Sequence, residues 1–306
     1  MRILNHDKQC IIIKSKGALY NMNTPLREVG ILYNALKPGA KNNAARLRHA
    51  FMGNGVHCRT VRCFGESGAT GEMTLDQADF TGCQLLCVLG GDGTLLAALQ
   101  RTYAYDIPLM GINMGRMGFL SEVQPDDIER DVAQLMRGDY RLEPRMLLEA
   151  HVPDSPVLVA LNEVAINRSG YTASILALEV YAGGVLVDRF SGDGLIVASS
   201  TGSTAYSLSA GGPIVAPGLN CVVLTPVCSH TLHVRPVVVS PDMPIEVRVL
   251  GNPSSARVML DGHTSLPFPQ DAPLCIRRAA NDIRFMKLHD QNFFDLLRKK
   301  LSDWTH

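Results

Sequence analysis

The run from Gln84 to Leu89 is apolar after its first residue, Leu95-Leu-Ala-Ala-Leu99 is apolar again, and between them stands Gly90-Gly-Asp-Gly-Thr94. A short apolar run, a glycine-rich turn and a second run suited to a helix commit this part of the chain to a strand-turn-helix unit. Glycines there let a ligand approach the backbone closely, and the exposed N–H groups at the helix start favour phosphate. Asp92 adds a negative charge that repels phosphate unless a hydroxyl proton or a metal ion fills the gap. The turn therefore points to phosphoryl transfer or metal binding.

The surrounding pattern extends that unit. Val29-Gly-Ile-Leu-Tyr33, residues 55–63, 84–89 and 107–112 read as strands. Ala44, Leu47 and Phe51 recur at helical spacing, a helix follows Thr94 through Leu99, and Pro125–Met136 reads as a capped helix. This alternation predicts an open, Rossmann-like parallel sheet with its ligand crevice beyond the strand ends. A second glycine-rich loop, Gly111-Ile-Asn-Met-Gly-Arg-Met-Gly-Phe-Leu120, leaves the neighbouring strand end, so two loops of one sheet can converge on one phosphate-bearing ligand.

After Gly138 the pattern changes. Met146–Val152, Val157–Ile166, Ser174–Tyr181, Leu195–Ala198, Cys221–Leu224, Pro236–Val239, Ile245–Val249 and Ala256–Leu260 are short, rich in Val, Ile and Leu, and punctuated by Gly, Pro, Asp and Ser. They predict an antiparallel β-sandwich. The expected division is an N-terminal extension over 1–26, an α/β catalytic domain over 27–138 completed by 281–306, and a sandwich over 139–280. In the tail, Phe293, Phe294, Leu297 and Leu301 are spaced for one buried helix face.

Composition excludes several classes of function. Lys plus Arg and Asp plus Glu number 29 each, so there is no overall field to draw nucleic acid or an anionic membrane. No uncharged apolar run is long enough to cross a bilayer, and the first residues lack a secretory pattern. Eight scattered cysteines in a chain of 306 residues fit a reducing cytoplasm better than a disulfide framework. Cys83 and Cys87, beside or within a buried strand, read as core rather than zinc ligands, and no metal-thiolate site is expected.

Three further segments stand out. Ser191-Gly-Asp-Gly194 precedes a strand and Thr201-Gly-Ser-Thr-Ala-Tyr-Ser-Leu-Ser-Ala-Gly-Gly212 follows it. Thr204 or Ser203 is placed to cap a helix starting near Ala205, with Tyr206 and Ser209 on one side of it. Asn162 and Glu163 interrupt an apolar run, where burial requires partners; a ligand, or water at a strand edge, meets that need. Asp261-Gly262 reads as a hairpin turn or as the rim of a pocket.

Taken in order, Gly90-Gly-Asp-Gly-Thr94, the Gly111–Leu120 loop, Leu161-Asn-Glu163, Ser191-Gly-Asp-Gly194 and Thr201-Gly-Ser-Thr-Ala-Tyr206 resemble the NAD kinase family over about residues 27–301. The Gly-Gly-Asp-Gly turn alone is shared with phosphofructokinases and lipid kinases, so the resemblance also implies a phosphofructokinase-like first domain. It implies transfer of the terminal phosphoryl group of ATP, or of polyphosphate, to the 2′-hydroxyl of the adenosine ribose of NAD, with a divalent ion such as Mg2+. Asp92 would orient or deprotonate that hydroxyl, and Gly90, Gly91, Gly93 and Thr94 would accommodate phosphate. Phe119 would line the dinucleotide pocket, Asn162 and Glu163 would hold NAD, and Asp193, Thr204, Ala205, Tyr206 and Ser209 would complete the surface. A homodimer or homotetramer is implied too. The chain departs from the family where Ser200 replaces the proline of its Thr-Pro-Thr-Gly-Ser-Thr pattern, which implies a less restricted turn. A lipid or sugar kinase, or a dinucleotide sensor without activity, are the alternatives.

Overall fold

A computed structural model describes residues 25–64, 73–115, 118–153, 155, 157–169 and 175–303. Residues 1–24 of the extension, Arg116 and Met117 of the second glycine loop, and Ser174 at one expected strand start lie outside the described residues.

The strands in chain order begin with β1 (Glu28–Asn34), β2 (His57–Cys63), β3 (Leu85–Gly90), β4 (Leu109–Asn113), β5 (Arg141–Arg145) and β6 (Leu148–His151). They continue with β7 (Leu158–Ala160), β8 (Glu163–Arg168), β9 (Leu176–Ala182), β10 (Val185–Gly192), β11 (Gly194–Ser199) and β12 (Val222–Val227). The last are β13 (Val237–Val239), β14 (Ile245–Leu250), β15 (Ala256–Leu260), β16 (Thr264–Pro267), β17 (Leu274–Arg278) and β18 (Ile283–Lys287). The helices are α1 (Ala40–Gly53), α2 (Asp92–Thr102), α3 (Ile128–Met136), the single turn α4 (Tyr206–Ser209) and α5 (Phe293–Asp303).

The first sheet has the order β2-β1-β3-β4-β18-β5, with β1 to β4 parallel. Every residue of β3 is buried, because both faces of a parallel sheet are covered. Leu85, Cys87 and Leu89 pack with Leu47 and Phe51 of α1 and Val132 of α3, while Leu86 and Val88 pack with Leu95 and Leu99 of α2. The strand's period of two thus divides one apolar run between two layers. Burial drives the Cys83 thiol up to about 11 and raises that of Cys87 well above its ordinary value, as core cysteines require.

The remaining strands form two six-stranded antiparallel sheets, ordered β10-β9-β14-β17-β6-β7 and β13-β12-β11-β8-β15-β16. One apolar core joins them: Leu148, Leu178 and Ile276 from the first meet Val164, Val197 and Val258 from the second. The outer face of the second of these sheets is covered too, where Ile196, Ala198 and Val223 pack with Val215. That contact lays the hydroxyl-rich segment 201–215 on this face.

Several expectations are corrected. The first sheet runs past residue 138, since β5 is its edge strand and pairs with β18. Pro144 and two arginines obscure β5 in the sequence, and a sheet edge tolerates the missing N–H of proline. The segment β18 is a strand inserted between β4 and β5 rather than merely the approach to a helix. The expected strand Val157–Ile166 is two strands, β7 and β8, in different sheets. On α5, Leu296 is the buried residue and Phe293 and Leu297 are half-buried, whereas Phe294 and Leu301 are exposed. Asn292 starts that helix, its Oδ1 accepting from Phe294 N at 2.8 Å.

Candidate functional site

Helix α2 begins at Asp92 itself, with Gly91 as its extended N-cap, three residues earlier than the sequence suggests. Gly91 O accepts from Thr94 N at 2.9 Å and Leu95 N at 3.2 Å. The N–H groups of Asp92 and Gly93 therefore form the positive start of the helix. Space lies open above: a Cβ built on Gly91 meets no atom within 4 Å, and one on Gly93 meets only the His263 ring, at 3.8 Å. Gly90 faces the other way, where a Cβ would strike Thr94 Oγ1 at 2.3 Å. Thr94 is buried and its hydroxyl accepts from Asn34 Nδ2 at 2.9 Å, so it ties the turn to β1 rather than facing the opening.

The Asp92 carboxylate is held by the second glycine-rich loop. Its Oδ2 accepts from Phe119 N at 2.8 Å and its Oδ1 from Leu120 N at 3.3 Å. A Cβ on Gly118 would lie 1.9 Å from Asp92 Oδ1, so the loop reaches the carboxylate only because residue 118 has no side chain. Phe119 is half-buried, its ring centroid 6.2 Å from that of Phe293 on α5.

The second half of the opening is organised by Asp261. It sits at the β15–β16 hairpin with φ 48° and is buried. Its Oδ2 accepts from Leu161 N at 2.8 Å, and its Oδ1 accepts from Asn162 N at 2.8 Å and Glu163 N at 3.0 Å. These three bonds satisfy the backbone where the chain leaves β7 and enters β8. Asp261 is thus the acceptor for a sheet-switching break, and two residues later the same hairpin places His263 beside Gly93.

Glu163 follows that break, 6% exposed, with Oε2 lacking a hydrogen-bond partner among the described residues. Burial first, then the neighbouring Asp261 carboxylate, push its pKa up to about 8, against the pull of the Tyr206 backbone N–H. Asn162 is half-buried, and Gly202 packs on its backbone so closely that a Cβ would lie 2.0 Å from Asn162 O. The Thr201–Thr204 turn is thereby set against the Asn162–Glu163 pair. Tyr206 is exposed, and its phenol is raised by partial burial and by Cys228, Asp193 and Glu163 nearby. Asp193 pairs with Arg168 at 3.3 Å.

Neither Ser203 nor Thr204 caps a helix as expected. Ser203 Oγ donates to Ser200 O at 2.8 Å and accepts from Val215 N at 3.0 Å, while Thr204 Oγ1 donates back to Thr201 O at 3.3 Å. Ala205 separates this turn from α4 and is half-buried, and Ser209 ends α4 exposed. Sequence reading misses Asn34, Gly118, His263 and Phe293, and leaves Asp261 open between two roles. Gly118 lies in a loop read as permissive, but its steric reason is an aspartate 26 residues away. Among the described residues, no group of three or more His, Cys, Asp or Glu forms a metal cage.

Residues 29–140 match the ATP-NAD kinase N-terminal domain, and residues 161–288 match the ATP-NAD kinase C-terminal domain. An NAD kinase of Desulforamulus reducens is 39% identical over 228 residues, 73% of this chain and 79% of the relative. The crystal structure of an NAD kinase from Archaeoglobus fulgidus in complex with ATP superposes with a TM-score of 0.71 at 27% identity, covering 89% of this chain and 98% of that one. Yeast NADH kinase complexed with NADH shares the fold, with a TM-score of 0.79 at 21% identity over 92% of this chain and 89% of that one. Similarity of this extent over both halves of the molecule places the chain in the ATP-NAD kinase family, enzymes that transfer a phosphoryl group from ATP to NAD and so form NADP.

Proposed function

We propose that this chain phosphorylates the 2′-hydroxyl of the adenosine ribose of NAD, with ATP as donor, and that Asp92 aligns and deprotonates that hydroxyl. The observation that carries the reading is the clamped carboxylate. Both Asp92 oxygens are oriented by Phe119 and Leu120 N–H groups, and each retains a lone pair for an incoming hydroxyl. The group stands at the positive start of α2, where developing negative charge is stabilised. A fixed base and a phosphate cradle supply the alignment and charge compensation that phosphoryl transfer needs.

Gly91 and Gly93 leave the backbone open to phosphate, while Gly90 and Thr94 shape the turn from beneath. Asn162 and Glu163 hold the dinucleotide. A carboxyl with a pKa of about 8 is mostly protonated at neutral pH, so Glu163 both donates to and accepts from ligand hydroxyls or base nitrogens. Asp193, Thr204, Ala205, Tyr206, Ser209 and the Phe119 ring complete the surface. We read the first unit as Rossmann-like with a phosphofructokinase-like turn and the second as a β-sandwich.

Mg2+ is commonly held by one or two carboxylates together with substrate phosphates. A single carboxylate, Asp92, beside open helix N–H groups suits an ion carried by the nucleotide. Bound there, the ion would neutralise phosphate charge. We further propose a cytoplasmic enzyme that self-associates. No helix among the described residues is long and apolar enough to cross a membrane, and the family resemblance supports a dimer or tetramer.

NADP formation by the purified chain with NAD, magnesium and either ATP or polyphosphate tests the reading, with Asp92→Asn as control. Product with ATP that is lost in the control is the expected result. Saturable NAD binding by folded protein without product from either donor would overturn it in favour of a sensor.

A further inference from the structure

The Asp92 clamp depends on a loop, and the loop is held from the far end of the chain. Asp92 receives its shorter hydrogen bond from the backbone of Phe119. Leu120, next along, is buried, and its carbonyl accepts from Lys287 Nζ at 3.4 Å. The Phe119 side chain meets Phe293 with rings tilted at 42°, and Phe293 in turn meets Phe294 edge-on at 5.3 Å. Phe293 occupies the first turn of α5, immediately after the Asn292 cap that fixes the helix start.

A partly open pocket of about 270 Å³ borders this contact, lined by Phe119, Phe293, Leu296, Glu122 and Lys287 among others. Its presence makes the ring contact consequential. Both rings line that pocket, so removing the Phe293 ring would widen it, and Phe119 would lose its lateral support while gaining room to turn. Movement of its backbone by a fraction of an ångström alters the bond that orients Asp92, and reaction rate is sensitive to displacements of that size.

We propose that Phe293 of the C-terminal helix is a positioning residue for Asp92, acting through the ring and backbone of Phe119. This rests on the kinase reading above and adds that α5 is needed for turnover, beyond its part in the core. A loss of one aromatic contact corresponds to about a tenfold effect on rate.

The test compares the intact chain with Phe293→Ala and Phe293→Tyr, measuring NADP formation and hydrogen exchange of the peptide spanning 118–122. The expected result for Phe293→Ala is a kcat lower by about tenfold, a KM for ATP within twofold, and faster exchange at Phe119 and Leu120. Phe293→Tyr, which keeps the ring, should restore both rate and protection. Unchanged exchange, unchanged kcat, a loss carried by KM alone, or no rescue by tyrosine would overturn the inference. Absence of NADP formation by the parent chain, or native rate in Asp92→Asn, would instead count against the kinase reading and is scored separately.

Discussion

Glu163→Gln should make the ligand-free protein more stable, and increasingly so as pH rises. Folding buries this carboxyl beside Asp261 and moves its pKa from 4.5 to about 8. Between those values the folded chain holds a proton that the unfolded chain releases. The unfolded state then binds fewer protons, so stability falls with pH by about 1.4 kcal/mol per pH unit. Across the window this comes to about 5 kcal/mol, fully absent below pH 4.5 and fully present above pH 8. Glutamine keeps the shape but cannot ionise. With an unfolding entropy of about 2.1 cal/mol/K per residue, that difference corresponds to about 8 °C in Tm for a chain of this length. Thermal unfolding followed by circular dichroism at pH 5 and pH 8.5, without nucleotide, measures it. Near-equal Tm values at pH 5 and a variant several degrees more stable at pH 8.5 are expected. A difference that does not grow with pH, or that favours the parent at alkaline pH, would refute the assignment of a buried, neutral Glu163. Keeping a destabilising carboxyl at this position is understandable if the dinucleotide supplies its missing partner.

Asp92→Asn should fold normally and lower kcat by about 10² to 10⁴, the range for loss of a general base, read as NADP accumulation under saturating substrates. Gly118→Ala places a methyl group where Asp92 Oδ1 stands; kcat should fall about 100-fold while NAD binding by calorimetry changes less than twofold. Asp261→Ala leaves three buried or half-buried N–H groups without their acceptor and should cost about 3 kcal/mol or more in urea unfolding. Asp261→Asn should recover part of that loss, because its amide oxygen still accepts.

Local chemistry made much of the molecule legible. The β3 run, the Gly90–Thr94 turn and the following apolar repeat can satisfy backbone and side chains only as strand, turn and helix, and α2 follows. The Asn162–Glu163 pair stood out because polar groups inside an apolar run need partners. The strands β5, β10, β16, β17 and β18 were missed because their residues are half-exposed, charged or proline-bearing, and only their neighbours in the sheets give them ladders.

Relations between distant segments were decided by packing. Leu161 and Asn162 read as the middle of one strand, yet the chain changes sheets there because Asp261, about 100 residues away, accepts the three N–H groups that a ladder would otherwise have used. Gly118 reads as a flexible loop residue, yet its constraint is the carboxylate lodged against it. The kind of chemistry is written in residue identity, since glycines, a lone aspartate and hydroxyls carry it in their own atoms. Where the aspartate points, and how far Glu163 is kept from water, came from tertiary structure alone, because hydrogen-bond direction and desolvation are properties of the surroundings rather than of the residue.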